Sequence, residues 1–152
     1  MKQNRVWGSL YMYVVLLSVV ASSLDAAVYR IGSQADFDYY KEAKFRSGDT
    51  IAFKRGAVFK GMFSPGGSGT DKASICLKTY GQGHKPIINA LGKNTAGILL
   101  KNVEFWEIDG IEITNTDGTD EDQGTLFGIY VLAQDTGKLT TISILPTVTS
   151  MM

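Results

Sequence analysis

Most of the chain after its first 27 residues is divided into short segments that favour β-strands, bounded by Gly, Asn, Asp or Pro. Short runs rich in β-branched and aromatic residues are typical of strands, and the residues between them are typical of turns. The predicted strands are Thr50–Phe53, Val58–Phe63, Ser74–Thr79, Pro86–Asn89, Gly97–Leu100, Phe105–Ile108, Ile111–Thr114, Gly128–Leu132 and Thr141–Leu145. The pattern therefore predicts an all-β domain.

One segment, Asp36–Lys44, favours a helix instead. Phe37 and Tyr40 fall at helical spacing, and Ser33 precedes them as a candidate capping residue. The pair Ser47-Gly48 then interrupts the helical pattern. We therefore expect one short helix ahead of the strands.

Two arrangements of the strands are open. The dipeptide Asp109-Gly110 lies between two predicted strands and is typical of a tight antiparallel hairpin. The same region also fits a coil of short parallel strands, in which Asn115 at a bend bonds the backbone of the next turn.

A repeated spacing favours the coil. The pairs Gly97-Ile98 and Gly128-Ile129 are separated by the same number of residues, 31, as the spacing patterns that begin at Ile108 and Leu139. The first pattern continues with Ile111 and Ile113 and the second with Ile142 and Ile144. Self-similarity at one period is the sequence signature of repeat architectures.

The N-terminal segment, residues 1–27, predicts a secretory signal peptide that is helical in its apolar part. Lys2 and Arg5 precede an uncharged stretch with an apolar centre, and small residues follow it. Cleavage after Ala21 or after Ser23 suits a signal peptidase best, whereas cleavage after Ala26 or Ala27 places Leu24 or Asp25 three residues before the cut. A retained membrane anchor is the alternative, but serines and a glycine dilute the apolar run. We therefore expect residues 28–152 to act as one domain that is secreted, periplasmic or at the cell surface, without a stable membrane anchor.

Charge and composition exclude several classes of function. The chain has 15 basic and 15 acidic residues, and removal of Lys2, Arg5 and Asp25 with the leader leaves a net charge near −1. This balance gives no support for nucleic-acid binding, which depends on a basic surface. Cys76 is the only cysteine and His84 the only histidine. We expect a buried, unreactive thiol and a surface turn, because a zinc site would need more such ligands.

Three stretches of the sequence resemble a known group of proteins. Gly48–Gly56, Ser68-Gly69-Thr70 and the stretch from Ile75 to Ile88 are similar to the N-terminal part of secreted, bacterial polysaccharide-degrading proteins of the pectate-lyase-like superfamily. The resemblance implies an all-β fold, a right-handed parallel β-helix with an N-terminal cap helix and its first few rungs. Members of that group are much longer, so we expect residues 28–152 to be the truncated beginning of such a coil, with a complete small domain as the alternative, and the full-length protein to be a monomer.

The resemblance also implies a class of chemistry. In polysaccharide lyases of this fold, acidic residues on successive rungs bind calcium, and a Lys or Arg removes the proton beside the uronate carboxylate. Calcium prefers six to eight oxygen ligands and neutralises the sugar acid. The resemblance thus implies an acidic polysaccharide as partner, a lyase or a glycoside hydrolase as the full-length enzyme, and an inactive isolated fragment. A secreted, non-catalytic glycan-binding module is the alternative.

Three sets of residues are candidates for a site. The acidic segment with Asp117, Asp120, Glu121 and Asp122 is a candidate Ca²⁺ loop, although its spacing differs from the regular calcium-loop pattern and such runs are commonly solvated. Lys54, Lys78 and Lys101 are candidate saccharide-facing cations, with ordinary surface as the alternative. Phe105 and Trp106 are candidates for stacking on a sugar ring, with a place in the core as the alternative. No position matches a catalytic motif, so the catalytic residues stay unassigned.

Overall fold

The computed structural model of the protein describes residues 25–119, 124–134 and 141–145. Within these residues the chain forms ten β-strands and one short α-helix, so the predicted all-β class with very little helix is confirmed. The elements are β1 (Val28–Ile31), α1 (Gln34–Tyr40), β2 (Thr50–Lys54), β3 (Val58–Lys60), β4 (Ile75–Tyr80), β5 (Ile87–Asn89), β6 (Ala96–Lys101), β7 (Trp106–Asp109), β8 (Glu112–Thr114), β9 (Phe127–Leu132) and β10 (Ile142–Leu145).

Strands β1 and β2 pair in parallel in one sheet; from β2 onward, consecutive strands lie in different sheets, and each pairs in parallel with a strand from a neighbouring turn of the chain. The first sheet has the order β1-β2-β4-β7-β10, the second β3-β5-β8, and the third β6-β9. Phe63 adds a single bridge to the third sheet through Ile98. The chain therefore coils, and we call one turn of it a rung: β4, β5 and β6 form one rung, and β7, β8 and β9 form the next.

The register confirms part of the predicted repeat. Ile98 of β6 lies beside Ile129 of β9, as the repeated Gly-Ile pairs predicted. The hairpin interpretation of Asp109-Gly110 is wrong, because β7 and β8 belong to different sheets. The glycine has a φ of 74° and lets the chain turn directly from the first sheet into the second.

The second predicted alignment, of Ile142 and Ile144 with Ile111 and Ile113, is wrong. The structure pairs Ile142 with Trp106 and Ile144 with Ile108, so both isoleucines of β10 belong to the first sheet. The third position of that pattern, residue 139, lies outside the described residues. Alternating isoleucines show which side chains of a strand point inward, but not which earlier strand they pair with.

Helix α1 begins two residues earlier than predicted and ends four residues earlier. Ser33 is its N-cap, as expected, and its hydroxyl accepts a hydrogen bond from the backbone N–H of Asp36 at 3.1 Å. The Asp36 carboxylate in turn accepts from the hydroxyl and backbone N–H of Ser33, and these bonds help to lower the pKa of Asp36. The helix stops early because Ala43 and Phe45 form backbone hydrogen bonds with Gly66 instead of extending it.

Aromatic rings fill the beginning of the coil. Phe37 of α1 is fully buried and stacks on Phe59 with the ring centroids 5.6 Å apart. Phe53 packs edge-on against Phe59 and Phe63, both at 5.4 Å. Further along, aliphatic side chains from each sheet continue the same core: Ile31, Ile51, Ile75, Leu77, Ile88, Ile98, Leu100, Val103 and Ile108. The core thus extends along the inside of the coil from the helix to the last complete rung.

Asn115 lies at a corner and bonds backbone groups of a neighbouring turn, but that turn is the preceding one and not the next one as predicted. Its side-chain oxygen accepts from the backbone N–H of Gly92 at 3.1 Å, and its amide donates to the carbonyls of Asn94 and Phe127 at 2.8 and 3.2 Å. The amide thus links the corner between the second and third sheets to the corner of the preceding rung.

Gly97 lies near the start of β6, where the packing leaves no room for a side chain. A Cβ atom at Gly97 would collide with Cγ2 of Ile113 and lie 3.0 Å from the carbonyl oxygen of Gly128. We expect Gly97→Ala to lower the free energy of unfolding by about 1 to 3 kcal/mol, as overpacking typically does. Urea unfolding followed by circular dichroism measures the change.

Gly128 is the matched control one rung further on. The nearest atom to a Cβ at Gly128 would be Ile113 Cγ2 at 3.9 Å, an ordinary van der Waals contact. We expect Gly128→Ala to change the free energy of unfolding by less than about 0.5 kcal/mol. Equal effects of the two substitutions would contradict the packing described here.

Candidate functional site

The outward side of the first sheet carries polar and charged side chains from several rungs. Side chains alternate between the two sides of a strand, so residues next to the buried Ile51, Leu77 and Ile108 point outward. In register, Arg30 lies beside Ala52, and Ala52 beside Lys78. Parallel pairing thus lines up outward residues that are far apart in sequence.

Arg30 and Tyr80 form the centre of this surface. The guanidinium carbon of Arg30 lies 5.5 Å from the centroid of the Tyr80 ring, within the range of a cation–π interaction. The two residues belong to β1 and β4, so their side chains meet across the intervening strand β2, and the Tyr80 hydroxyl reaches Gly32 at the end of β1. Ala52 on that strand is only 6% exposed although its side chain points outward, which shows that longer side chains cover it.

Gly32 completes the surface beside the tyrosine. A Cβ at Gly32 would lie 2.8 Å from the hydroxyl oxygen of Tyr80 and 3.8 Å from Cδ of Lys54. The absence of a side chain therefore gives the tyrosine hydroxyl its space next to Lys54. We call Arg30, Lys54, Lys78 and Tyr80 the basic face.

A thiol and a carboxylate lie further along the same sheet. The thiol of Cys76 donates to Oε2 of Glu107 at a sulfur–oxygen distance of 3.8 Å, and the two residues are in register on β4 and β7. Burial raises the pKa of the Cys76 thiol, the charge of Glu107 raises it further, and the charge of Lys78 lowers it. Cys76 is half-buried rather than buried as expected, but its raised pKa makes it a poor nucleophile at neutral pH.

Of the three predicted cations, the structure brings two together. Lys54 and Lys78 lie on the basic face, whereas Lys101 ends β6 in the third sheet. Sequence reasoning missed Arg30 and Tyr80, because their contact depends on the register of three strands. An arginine and a tyrosine 50 residues apart do not indicate a shared site unless the strand register is known.

The stacking prediction for Trp106 is wrong, and the alternative of a core position is confirmed. Its side chain is 1% exposed and its indole N–H donates to the carbonyl of Gly67 at 2.9 Å. Phe105 is half-buried and has a φ of 55°. Its carbonyl accepts from the N–H of Ile75, which gives it a role in the turn into β7.

The predicted calcium loop is only partly described. Asp117 is exposed, and its Oδ1 accepts from the backbone N–H and the hydroxyl of Thr119, both at 2.8 Å. Asp120, Glu121 and Asp122 lie outside the described residues. In the part of the chain that the structure describes, no three His, Cys, Asp or Glu side chains come together as metal ligands. With three of its four carboxylates outside the described residues, the calcium loop stays a prediction.

His84 is exposed in the turn after β4, as predicted. Its carbonyl accepts from the N–H of Gly56, and the carbonyl of Gly83 accepts from the Arg55 guanidinium at 3.1 Å. Within the described residues, no helix has the length and apolar character needed to cross a membrane.

The rate at which the Cys76 thiol is alkylated depends on the charges of its neighbours Glu107 and Lys78 in the first sheet. Glu107→Gln removes a negative charge that raises the pKa of the thiol, so we expect a lower pKa and faster alkylation by iodoacetamide between pH 7 and 9. Lys78→Gln removes a charge that lowers the pKa, so alkylation should become slower. Rates measured across this pH range test both signs, and changes in the same direction would contradict the arrangement.

The core position of Trp106 predicts a loss of stability. Trp106→Phe removes the hydrogen bond to Gly67 and leaves its partly buried carbonyl without that donor. We expect the free energy of unfolding to fall by about 1 to 3 kcal/mol. Unchanged stability, combined with weaker saccharide binding by the folded variant, would instead support the stacking role.

Comparison with known proteins identifies similar solved structures. Two structures of the GH136 lacto-N-biosidase from Eubacterium ramulus match this chain: the native protein with a TM-score of 0.53 and 16% identity, and the selenomethionine derivative with 0.60 and 18%. The matches cover 78% of this chain but 27% and 26% of those chains, so this chain spans about a quarter of their length. No family model matches the sequence, and no curated protein matches it. At this level of identity the similarity shows the fold alone: the coil of parallel strands also occurs in a much longer protein.

Proposed function

We propose that this chain is part of an exported, carbohydrate-active β-helix protein, and that the basic face binds an acidic polysaccharide. The observation that carries the proposal is the Arg30–Tyr80 pair, which is flanked by Lys54 and Lys78 on the outside of the first sheet. The similarity to a glycoside hydrolase of the GH136 group supports a saccharide as the partner.

The distribution of charge supports an acidic saccharide. Strands β1, β2 and β4 carry Arg30, Lys54 and Lys78 and contain no acidic residue, whereas β7 carries Glu107 and Asp109. Cations paired with a carboxylate form stronger hydrogen bonds than neutral groups do. The strands β1, β2 and β4 thus favour a sugar carboxylate more than β7 does, with one carboxylate, that of Asp36, beside Gly32 at the end of β1.

The spacing of the cations suits an extended ligand. Neighbouring strands lie about 4.8 Å apart, so the backbones at Arg30 and Lys78, two strands apart, are separated by about 10 Å. A polymer that lies across the strands can contact the two cations with different sugar units. This supports an extended polysaccharide as the ligand.

For the reaction, we propose lyase chemistry in the longer protein. Removal of the proton beside a uronate carboxylate requires neutralisation of that carboxylate and a base within reach of the proton. Lys54, Lys78 and Arg30 can provide the neutralising charge. Calcium, held by acidic residues of other rungs, would add to that neutralisation, and loss of turnover in EDTA would test for it.

Glycoside hydrolysis is the second candidate. Glu107 and Asp109 occupy alternate positions of β7 and so point to the same side of the strand. A glycosidase needs two carboxyl groups on either side of the scissile bond. The structural similarity to the GH136 lacto-N-biosidase favours the same class of chemistry.

One assay separates these alternatives. With pectate or alginate as substrate, a lyase generates the ultraviolet absorbance of an unsaturated uronate, and a hydrolase releases reducing ends without that absorbance. Binding without turnover and without calcium dependence would indicate the non-catalytic glycan-binding module. Absence of both binding and turnover with a panel of acidic glycans would overturn the proposed function.

The remaining features of the proposal concern the whole protein. We propose the right-handed sense that is usual for parallel crossover connections, and a capping role for α1, which buries Phe37 against Phe59. Export through the leader, a position outside the cytoplasm and a monomeric full-length protein are parts of the same proposal. Intact mass and light scattering of the exported protein would test them.

The cations predict a specific pattern of binding. We expect Arg30→Gln and Lys78→Gln each to weaken binding to polygalacturonate by about 1.4- to five-fold, since an exposed charge pair contributes about 0.2 to 1 kcal/mol. The measurement is retardation in affinity electrophoresis, repeated with added salt, which should reduce binding. Lys93→Gln is the matched control, because Lys93 is exposed in the turn between the second and third sheets. Equal loss of binding in all three variants would contradict the assignment.

A further inference from the structure

Asp49 is the buried carboxylate that links the first residues of the domain to the turn before β2. It is 2% exposed, and its Oδ1 accepts a hydrogen bond from the backbone N–H of Ala27 at 2.9 Å. Its Oδ2 accepts from the N–H of Arg46 at 2.8 Å. The carbonyl of Ala27 also accepts from the N–H of Thr50 at 2.8 Å, so both backbone groups of Ala27 are bonded to the domain.

These bonds show which N-terminal residues the folded domain needs to keep after proteolysis. A buried carboxylate is costly unless hydrogen-bond donors compensate it. If a protease removed Ala27, Oδ1 of Asp49 would lose a donor and Thr50 would lose its acceptor. Ala27 therefore belongs to the folded domain, one residue before the strand that follows it.

We propose that Asp49 sets the downstream limit of leader removal at the peptide bond between Ala26 and Ala27. This inference rests on the proposed export and refines the predicted boundary of residues 1–27. Cleavage consumes one water: the leader leaves with a new carboxylate, and the mature chain keeps a new ammonium group. A cut at the limit places that ammonium at the Ala27 nitrogen, beside the carboxylate of Asp49, whereas a cut after Ala27 removes the nitrogen altogether.

The first experiment locates the amino terminus. The full-length precursor is expressed in a secreting host, and the exported protein is analysed by intact mass and N-terminal sequencing. We expect a first residue between Ser22 and Ala27, which includes the cleavage points after Ala21, Ser23 and Ala26. A first residue at Val28 or later would overturn the proposal, whereas a retained leader would overturn the proposed export itself.

The second experiment tests the Asp49–Ala27 bond itself. Ala27→Pro removes the N–H donor and keeps the carbonyl, so we expect the exported variant to melt about 3 to 6 °C lower, the shift that loss of about 1 kcal/mol produces in a domain of this size. In an Asp49→Ala background the same proline should cause no further decrease. An unchanged melting temperature, or the same decrease in both backgrounds, would overturn the role of Asp49.

Neither measurement involves a saccharide. Failure of glycan binding would leave the position of the amino terminus unaffected, and an unexpected terminus would leave the glycan assay unaffected. The two proposals can therefore fail separately.

Discussion

Parallel hydrogen bonding between rungs places each residue of one strand beside a residue of the next rung, and most other features of the structure depend on this register. Leu77 lies beside Ile108 on the inside of the coil, while Cys76 lies beside Glu107 on the outside. Because alternate side chains point to opposite sides, one register determines both the content of the core and the rows of outward groups. A shift by one residue would place charged side chains in the core.

The turns between sheets differ in length without disturbing that register. Ile75 pairs with Trp106 in the first sheet and Ile98 with Ile129 in the third, both 31 residues apart. In the second sheet Ile87 pairs with Glu112, only 25 residues apart. The short turn at Gly110 removes residues before β8, and the longer acidic segment before β9 restores them. Length changes are thus confined to the corners. There Asn115 forms hydrogen bonds with backbone groups, and glycines adopt the positive φ angles that the turns require.

Much of the fold could be predicted from sequence because each strand is a local pattern. Every predicted strand was found, although Val58–Phe63 shortens to Val58–Lys60 and Gly61 bends the chain at a φ of 118°. Strand β1 was missed because its four residues, directly after the predicted leader, alternate too briefly to indicate a strand. The partner of β10 could not be predicted, since pairing depends on turn lengths and not on the strand.

The candidate site was less predictable for a related reason. Lys54 and Lys78 could be singled out as cations on strands, but a short strand does not show which aromatic residue faces outward. Trp106 follows Phe105 in an apolar run, and only the position of the Gly67 carbonyl explains why the indole is buried. Tyr80 carried no signal, because its partner Arg30 is 50 residues earlier in the chain.

The packing of the basic face bears on how it can bind. Ala52 points outward yet is almost completely covered, so the long side chains around it lie across the sheet and do not extend freely into solvent. The stem of an arginine or lysine commonly covers apolar surface in this way while its charged group stays in water. The Arg30 guanidinium is held over the Tyr80 ring, and Gly32 leaves room for the tyrosine hydroxyl. A ligand therefore meets groups that already have restricted conformations, and binding to them costs less side-chain entropy than binding to free lysines would. A small residue at position 52 and glycine at position 32 are thus as much a part of the proposed binding surface as the charges themselves.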